Sequence, residues 1–339
     1  EGISSPAEQI LAVRGWGTMT VCLLRSEPGA EQLAGIRRFA ARWGFDPVLL
    51  PGLGPEERQR YHRLQDDALL ELVDTILGPD RAQLYRDYAF RVAPVGDDRP
   101  FFSQFLRWEH LPELVSLYGQ RTMPFLEVGL LVAGLAAAVL TMLAVVLILL
   151  PLLRLPGGGG RSMTLLYFGG LGIGYIWVEL ALIHRFVLYL GQPVYAAALV
   201  VGLLLVGSGI GSALSDRLVG YRAGRWAGAV AGAIALLALS IGPLLQATLP
   251  FPLVARVVVA VLLLTPLALL MGTPFPLGLR RLDQLRPLEV PWAWGINGCA
   301  SVVGAALATL VAVEIGFSLL LLLAAVAYLL PATMRLDAV

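Results

Sequence analysis

The richest chemistry in the sequence lies in Tyr175–Arg185 (YIWVELALIHR), where Glu179, His184 and Arg185 interrupt a long apolar run. A carboxylate near mid-bilayer is costly and ordinarily faces a bundle interior or a cavity, where it can hold a cation or carry a proton. His184 and Arg185 follow by five and six residues, about 140° and 240° around a helix, so neither shares a narrow face with Glu179. A relay confined to this helix is therefore disfavoured. Two readings of Glu179 remain. It is structural, protonated or hydrogen-bonded to Asn297 or to a backbone gap, with Arg185 snorkelling outward. Or it contacts a transported or bound substrate. Asn297 stands in Pro291–Ser301 (PWAWGINGCAS) between Gly295 and Gly298. Its amide is suited to bridging helices, a contact averaging about 0.6 kcal/mol in membranes. Trp292 and Trp294 read as an interfacial aromatic belt.

A second constellation is Asp97 and Asp98, which open the run DDRPFF (97–102). Paired carboxylates at a membrane mouth can bind a cation such as a polyamine. They can equally cap the next helix or pair with Arg99 and Arg107, a solvated ion pair contributing about 0–1 kcal/mol. Cys22 and Cys299 offer no disulfide framework, and His62, His110 and His184 lack metal-ligand spacing. No GxGxxG follows a strand near the start of the chain, so no nucleotide or S-adenosyl cradle is read there. Gly157–Gly160 and Gly207–Gly211 do not open a helix after a strand, which argues against phosphate binding. No catalytic, cofactor or metal residue is assigned to the chain.

The elements that carry these residues belong to a membrane. Of 339 residues, 57% are hydrophobic and 14% charged, where ordinary soluble domains carry about 25% charge. There is no lysine, a bias we ascribe to genome composition. Residues 1–123 hold 17 acids and 14 arginines, against 7 acids and 11 arginines in 124–339. Neither part has the basic excess of a nucleic-acid binder. Seven apolar stretches, near 125–153, 164–190, 193–214, 225–249, 251–278, 292–312 and 315–331, predict a polytopic helical bundle, each stretch matching a bilayer core about 30 Å thick. Pro266, Pro274 and Pro276 predict a kink or end in the fifth. Glycines four apart, at 170 and 174, 207 and 211, and 224, 228 and 232, predict close helix packing. Seven crossings would gather nine arginines on one side, in the loops 154–163, 215–225 and 279–291 and the C-terminal tail. The positive-inside rule makes that side cytoplasmic and the N-terminal part extracytoplasmic. The lipid bilayer, in a bacterial inner membrane, is the expected environment.

The N-terminal part reads as α/β. Thr18–Ser26 is a predicted strand, Gly29–Trp43 a helix with Leu33, Ile36, Phe39, Ala40 and Trp43 on one face, and Asp46–Pro51 a buried strand. Asp67–Leu77 and Pro79–Tyr88 read as helices. Residues 1–96 thus form a partial α/β segment, 97–123 a connector, 124–332 the bundle and 333–339 a tail. Two or three strands are too few for a complete doubly wound domain.

In order along the chain, FDPVLLPG (45–52), DDRPFF (97–102), YIWVELALIHRFVLYLGQPVYA (175–196), GSGIGSALSDR (207–217), MGTPFPLGLR (271–280) and WAWGINGCASVVGA (292–305) resemble the spermidine-synthase-like integral membrane proteins, including the fused major-facilitator/spermidine synthase type. The resemblance implies a Rossmann-like, aminopropyltransferase-type domain beside membrane spans, of which residues 1–96 correspond to the last strands and helices. It places the cofactor loop for S-adenosylmethionine or its decarboxylated form, and the catalytic aspartate, upstream of Glu1. The expectation is a C-terminal portion of such a protein, completed by an upstream part or a partner subunit. The block GSALSDR is similar to a cytoplasmic loop of major-facilitator transporters. The alternatives are a transporter or transport-like scaffold for an organic cation such as a polyamine, and a non-catalytic subunit of a membrane assembly.

Overall fold

A computed structural model describes residues 6–64, 66–118, 128–154, 161–218 and 223–333. Glu127, Gly157–Gly160, Arg222, Arg335 and most of the tail lie outside the described residues. The chain divides into two compact units, Glu1–Ala93 and Pro94–Val339.

The first unit contains β1 (Ile10–Arg14), β2 (Met19–Leu23), α1 (Ala30–Trp43), β3 (Asp46–Leu49), α2 (Ala68–Leu77) and α3 (Arg81–Asp87). The sheet order is β2-β1-β3 with both neighbouring pairs antiparallel. The predicted strand–helix–strand unit is present, and its two strands run parallel with β1 between them. The sequence reading missed β1: its run of four apolar residues shows no alternation, and the glycine-flanked turn after it carries the only signal. Gly15 N–H donates to the Thr18 carbonyl at 2.9 Å and closes that hairpin. α1 ends at Gly44, whose φ of 67° is left-handed. The core is Ala12, Val48 and Leu70. The predicted apolar face of α1 is covered only in part, with Ala40 buried while Phe39 and Trp43 are exposed. A helix about 21 Å long outreaches strands of about 17 Å.

In the second unit, α4 (Leu111–Tyr118) precedes α5 (Val128–Ala144), a π turn (Val145–Leu149) and α6 (Leu150–Leu153). Pro151 has no N–H for the carbonyl one turn back, which accounts for the widened turn before it. Then come α7 (Arg161–Leu190), α8 (Pro193–Leu214), α9 (Ala223–Thr248), α10 (Leu253–Met271), α11 (Pro274–Leu285), α12 (Val290–Ile315) and α13 (Phe317–Thr333). Six helical segments are long and apolar enough to cross a membrane: Gly129–Leu152, Arg161–Leu190, Pro193–Leu218, Gly224–Thr248, Leu253–Leu285 and Pro287–Ile315. The predicted seventh, α13, is a shorter apolar helix of 17 residues, about 25 Å long. The predicted break falls between α10 and α11, at Gly272–Thr273, just before Pro274.

Pairwise contacts fix helix directions. Asn297 Nδ2 donates to the Phe168 carbonyl at 3.1 Å, Ser301 Oγ to Gly172 at 3.3 Å, and Trp177 Nε1 to Gly304 at 2.9 Å. α7 and α12 therefore run parallel. Gly170 meets Ala327 and Pro331, whereas Gly174 meets Ala324 and Tyr328, so α13 runs antiparallel to α7. A Cβ at Gly174 would sit 2.6 Å from the Tyr328 ring, which is why a small residue is required there. Gly207 and Gly211 likewise face α10. The starts of α7 and α12 thus share one end of the bundle, and that end holds Arg161, Arg280, Arg281 and Arg286.

Candidate functional site

Glu179 lies about 27 Å along α7 from Arg161 and about 16 Å from Leu190 at 1.5 Å per residue, well inside a 30 Å core. Its side chain is half-buried, and no hydrogen-bond or ion-pair partner reaches it among the described residues. One turn earlier, Tyr175 Oη stands 3.5 Å from Ser208 Oγ of α8. Glu179 is about 40° around the helix from Tyr175, and Gly172, which abuts Asn297 and Ser301 of α12, about 60°. The carboxylate therefore projects at the seam between α8 and α12, beside two hydroxyls. An unpaired carboxylate at this depth is neutralised either by a proton or by a cation.

The structure does not gather the other expected residues around it. Asn297 is committed to the Phe168 carbonyl and ties α12 to α7; it does not serve Glu179. His184 is exposed, with Nδ1 2.8 Å from the Leu180 carbonyl and its ring stacked on Phe317 at 4.9 Å. It borders a small surface cleft with Phe101, Thr309 and Leu320. Arg185 does not snorkel outward. It is 7% exposed and bonds the Asp98 carboxylate and Ser318 Oγ. An inward partner for a buried guanidinium outweighs the pull of the interface.

That pairing gives DDRPFF a different role from the predicted ones. Asp98 serves the start of a helix far along the chain. Its carbonyl accepts from Phe317 N–H at 3.0 Å and its carboxylate from Ser318 N–H at 2.8 Å, the open donors at the start of α13. Arg99 Nη2 donates to the Val313 carbonyl at 2.7 Å, near the end of α12. One dipeptide thus caps both helices of a hairpin from outside, with each charge matched to the helix end it touches. Phe101 packs on Phe317 at 5.5 Å. Asp97 is exposed, and the carboxylate expected to bind a cation at Asp98 already holds Arg185.

Two further polar centres escaped the sequence reading. Asp46, fully buried in β3, accepts from the Tyr61 and His62 N–H groups at 2.7 Å each and pairs with Arg14 at 3.4 Å. The sequence places it at the start of a buried strand, and nothing local reveals partners fifteen residues on. At the arginine-rich end, Glu289 is fully buried and accepts from Thr164 Oγ1 at 2.6 Å, although its sequence context is a loop. Trp292, expected at the interface, is buried with Arg161 4.8 Å above its ring, while Trp294 is exposed. Asp216, just after α8, pairs with Arg280. Among the described residues no group of three His, Cys, Asp or Glu side chains is placed to hold a metal. No family model, curated protein or solved structure matches this chain.

Proposed function

We propose that this chain is the membrane-embedded region of a spermidine-synthase-like protein, and that its bundle binds an organic cation of the polyamine type at Glu179. The observation that carries the reading is the unpartnered carboxylate of Glu179 at mid-span, at the seam of α8 and α12. An ammonium group seated there would neutralise it, and the oxygens of Tyr175 and Ser208 would accept its remaining hydrogens. Transfer chemistry, with S-adenosylmethionine or its decarboxylated form, would reside in an upstream part or a partner subunit. The arginine-rich loops would face the cytoplasm.

The test is spermidine binding to the full chain in lipid nanodiscs by calorimetry. Glu179→Gln should abolish binding at concentrations that saturate the unmodified protein. Tyr175→Phe should weaken it about tenfold, the loss of one hydrogen bond to a charged group. Unchanged affinity in a folded Glu179→Gln protein would sink the proposal.

A further inference from the structure

The three-stranded sheet of the first unit has one open edge. Gly15 N–H donates to the Thr18 carbonyl and Leu24 N–H to the Gln9 carbonyl, both at 2.9 Å. Bonded and non-bonded pairs alternate along an antiparallel ladder, so Val13 with Thr20 and Leu11 with Cys22 are the bonded pairs of β1 and β2. Met19, Val21 and Leu23 therefore turn their N–H and C=O groups away from β1. Among the described residues no hydrogen bond reaches those groups. The opposite edge is occupied by Arg58, whose Nε donates to the carbonyl of Val48 in β3 at 3.1 Å. Met19, Val21 and Leu23 also share one face of β2, where they are 37%, 54% and 77% exposed. Edge strands that stay single ordinarily carry a charge, a proline or a bulge, and MTVCL (19–23) has none of these.

We propose that β2 pairs antiparallel with β2 of a second copy of this chain, about a two-fold axis at Val21. Val21 then stands opposite Val21 of the second copy, and Met19 opposite its Leu23, each pair exchanging both N–H···O bonds. No other centre pairs all three outward residues among themselves. Apolar side chains meet on one face. The nearest charge, Arg25, falls opposite Gly17 rather than another arginine. A strand about 17 Å long buries less than the roughly 800 Å2 per partner of a stable soluble complex. The membrane spans offset that deficit by confining both copies to one bilayer, at high effective concentration. The pairing does not depend on the function proposed for Glu179.

The test is disulfide cross-linking of the full chain in membranes, with Ser replacing Cys22 and Cys299 left buried. Across the axis, Val21→Cys puts two Cα atoms about 5.5 Å apart, within disulfide range. Leu23→Cys faces Met19 instead, and its own counterpart lies about 14 Å along the strand. Oxidation should cross-link Val21→Cys at least fivefold more than Leu23→Cys, and co-expressed Met19→Cys and Leu23→Cys chains should join to each other. Equal cross-linking at Val21 and Leu23 would mean random collision. None at either position would mean that a different chain or segment covers the edge. Each of these results overturns the proposal. Photobleaching of a fluorescently tagged chain with native β2, reconstituted in vesicles, gives a reading that needs no cysteine variant. It should bleach in two steps, and Val21→Arg in one. Single steps from native β2, or two steps kept in Val21→Arg, would overturn the pairing as well.

Discussion

At the residue scale the bundle depends on contacts that join distant positions. Asp98 is the clearest, since Arg185 and Ser318 stand 87 and 220 residues away in sequence. Removing its carboxylate leaves a buried guanidinium and a helix start uncompensated. Asp98 is itself partly open to solvent, so the expected cost of Asp98→Ala is about 1–3 kcal/mol, below that of a fully buried pair. It should appear as a lowered unfolding midpoint in detergent, and replacing Arg185 with Met in the same protein should recover part of it. If the double variant is no more stable than Asp98→Ala alone, the pair is not the reason. Gly316 supplies a companion test. Its φ is +86°, and a Cβ there would sit 2.5 Å from Asp98 Oδ2, so Gly316→Ala should destabilise by a similar amount. The types at these positions were legible in the sequence as candidate charges. Their partners were not, because no local pattern encodes a cap supplied by another segment.

At the element scale legibility followed the range of the signal. Each span carries its own apolar run, and Pro274 and Pro276 mark the start of α11 after the break, so hydropathy and proline placed them. β1 was missed because its pairing partners on both sides, not its own residues, define it. The same holds for the loop that follows β3, which is fastened to α2 by Arg58 and Asp74 through two bonds of 2.7 and 2.8 Å. The Arg58 hydrogen bonds hold the Asp74 carboxyl below the usual carboxylate range. Because the folded-state value is the lowered one, the stabilisation is complete above about pH 4 and disappears as pH falls through that lowered value. Asp74 is more than half exposed, so the worth of the pair is about 0.5–1 kcal/mol. Asp74→Asn should therefore unfold earlier than the unmodified protein at pH 7, with the difference closing near pH 2. A gap of equal size at both pH values would mean that the charge contributes nothing.

At the scale of the whole molecule, the direction of the helices turns a composition argument into a topology. The parallel α7 and α12 start at the arginine-rich end, and the antiparallel α13 starts at the other, where Asp98 and Arg99 cap it. Residues 97–102 and the arginine-rich loops consequently lie at opposite ends of the bundle. In the orientation proposed from the positive-inside rule, Asp97 would lie outside the cytoplasm and Arg217 within it. Only two cysteines are present, and Cys299 is buried, so replacing Cys22 with Ser leaves a background suited to labelling. In that background Asp97→Cys, at an exposed position, should react with a membrane-impermeant maleimide in intact cells, and Arg217→Cys only after permeabilisation. The reverse pattern would turn the bundle over and place the arginine-rich face outside. Labelling of both positions in intact cells would mean instead that one of the three crossings between them, Gly129–Leu152, Arg161–Leu190 and Pro193–Leu218, has been miscounted. The outcome also bears on the proposed chemistry, because a transfer reaction using a cytosolic cofactor requires its catalytic part on the arginine-rich side. With Asp97 outside, that part would have to be a separate cytoplasmic subunit or a segment returned across the membrane, and Glu179, reached from the seam between α8 and α12, would be the place where its amine enters the bundle.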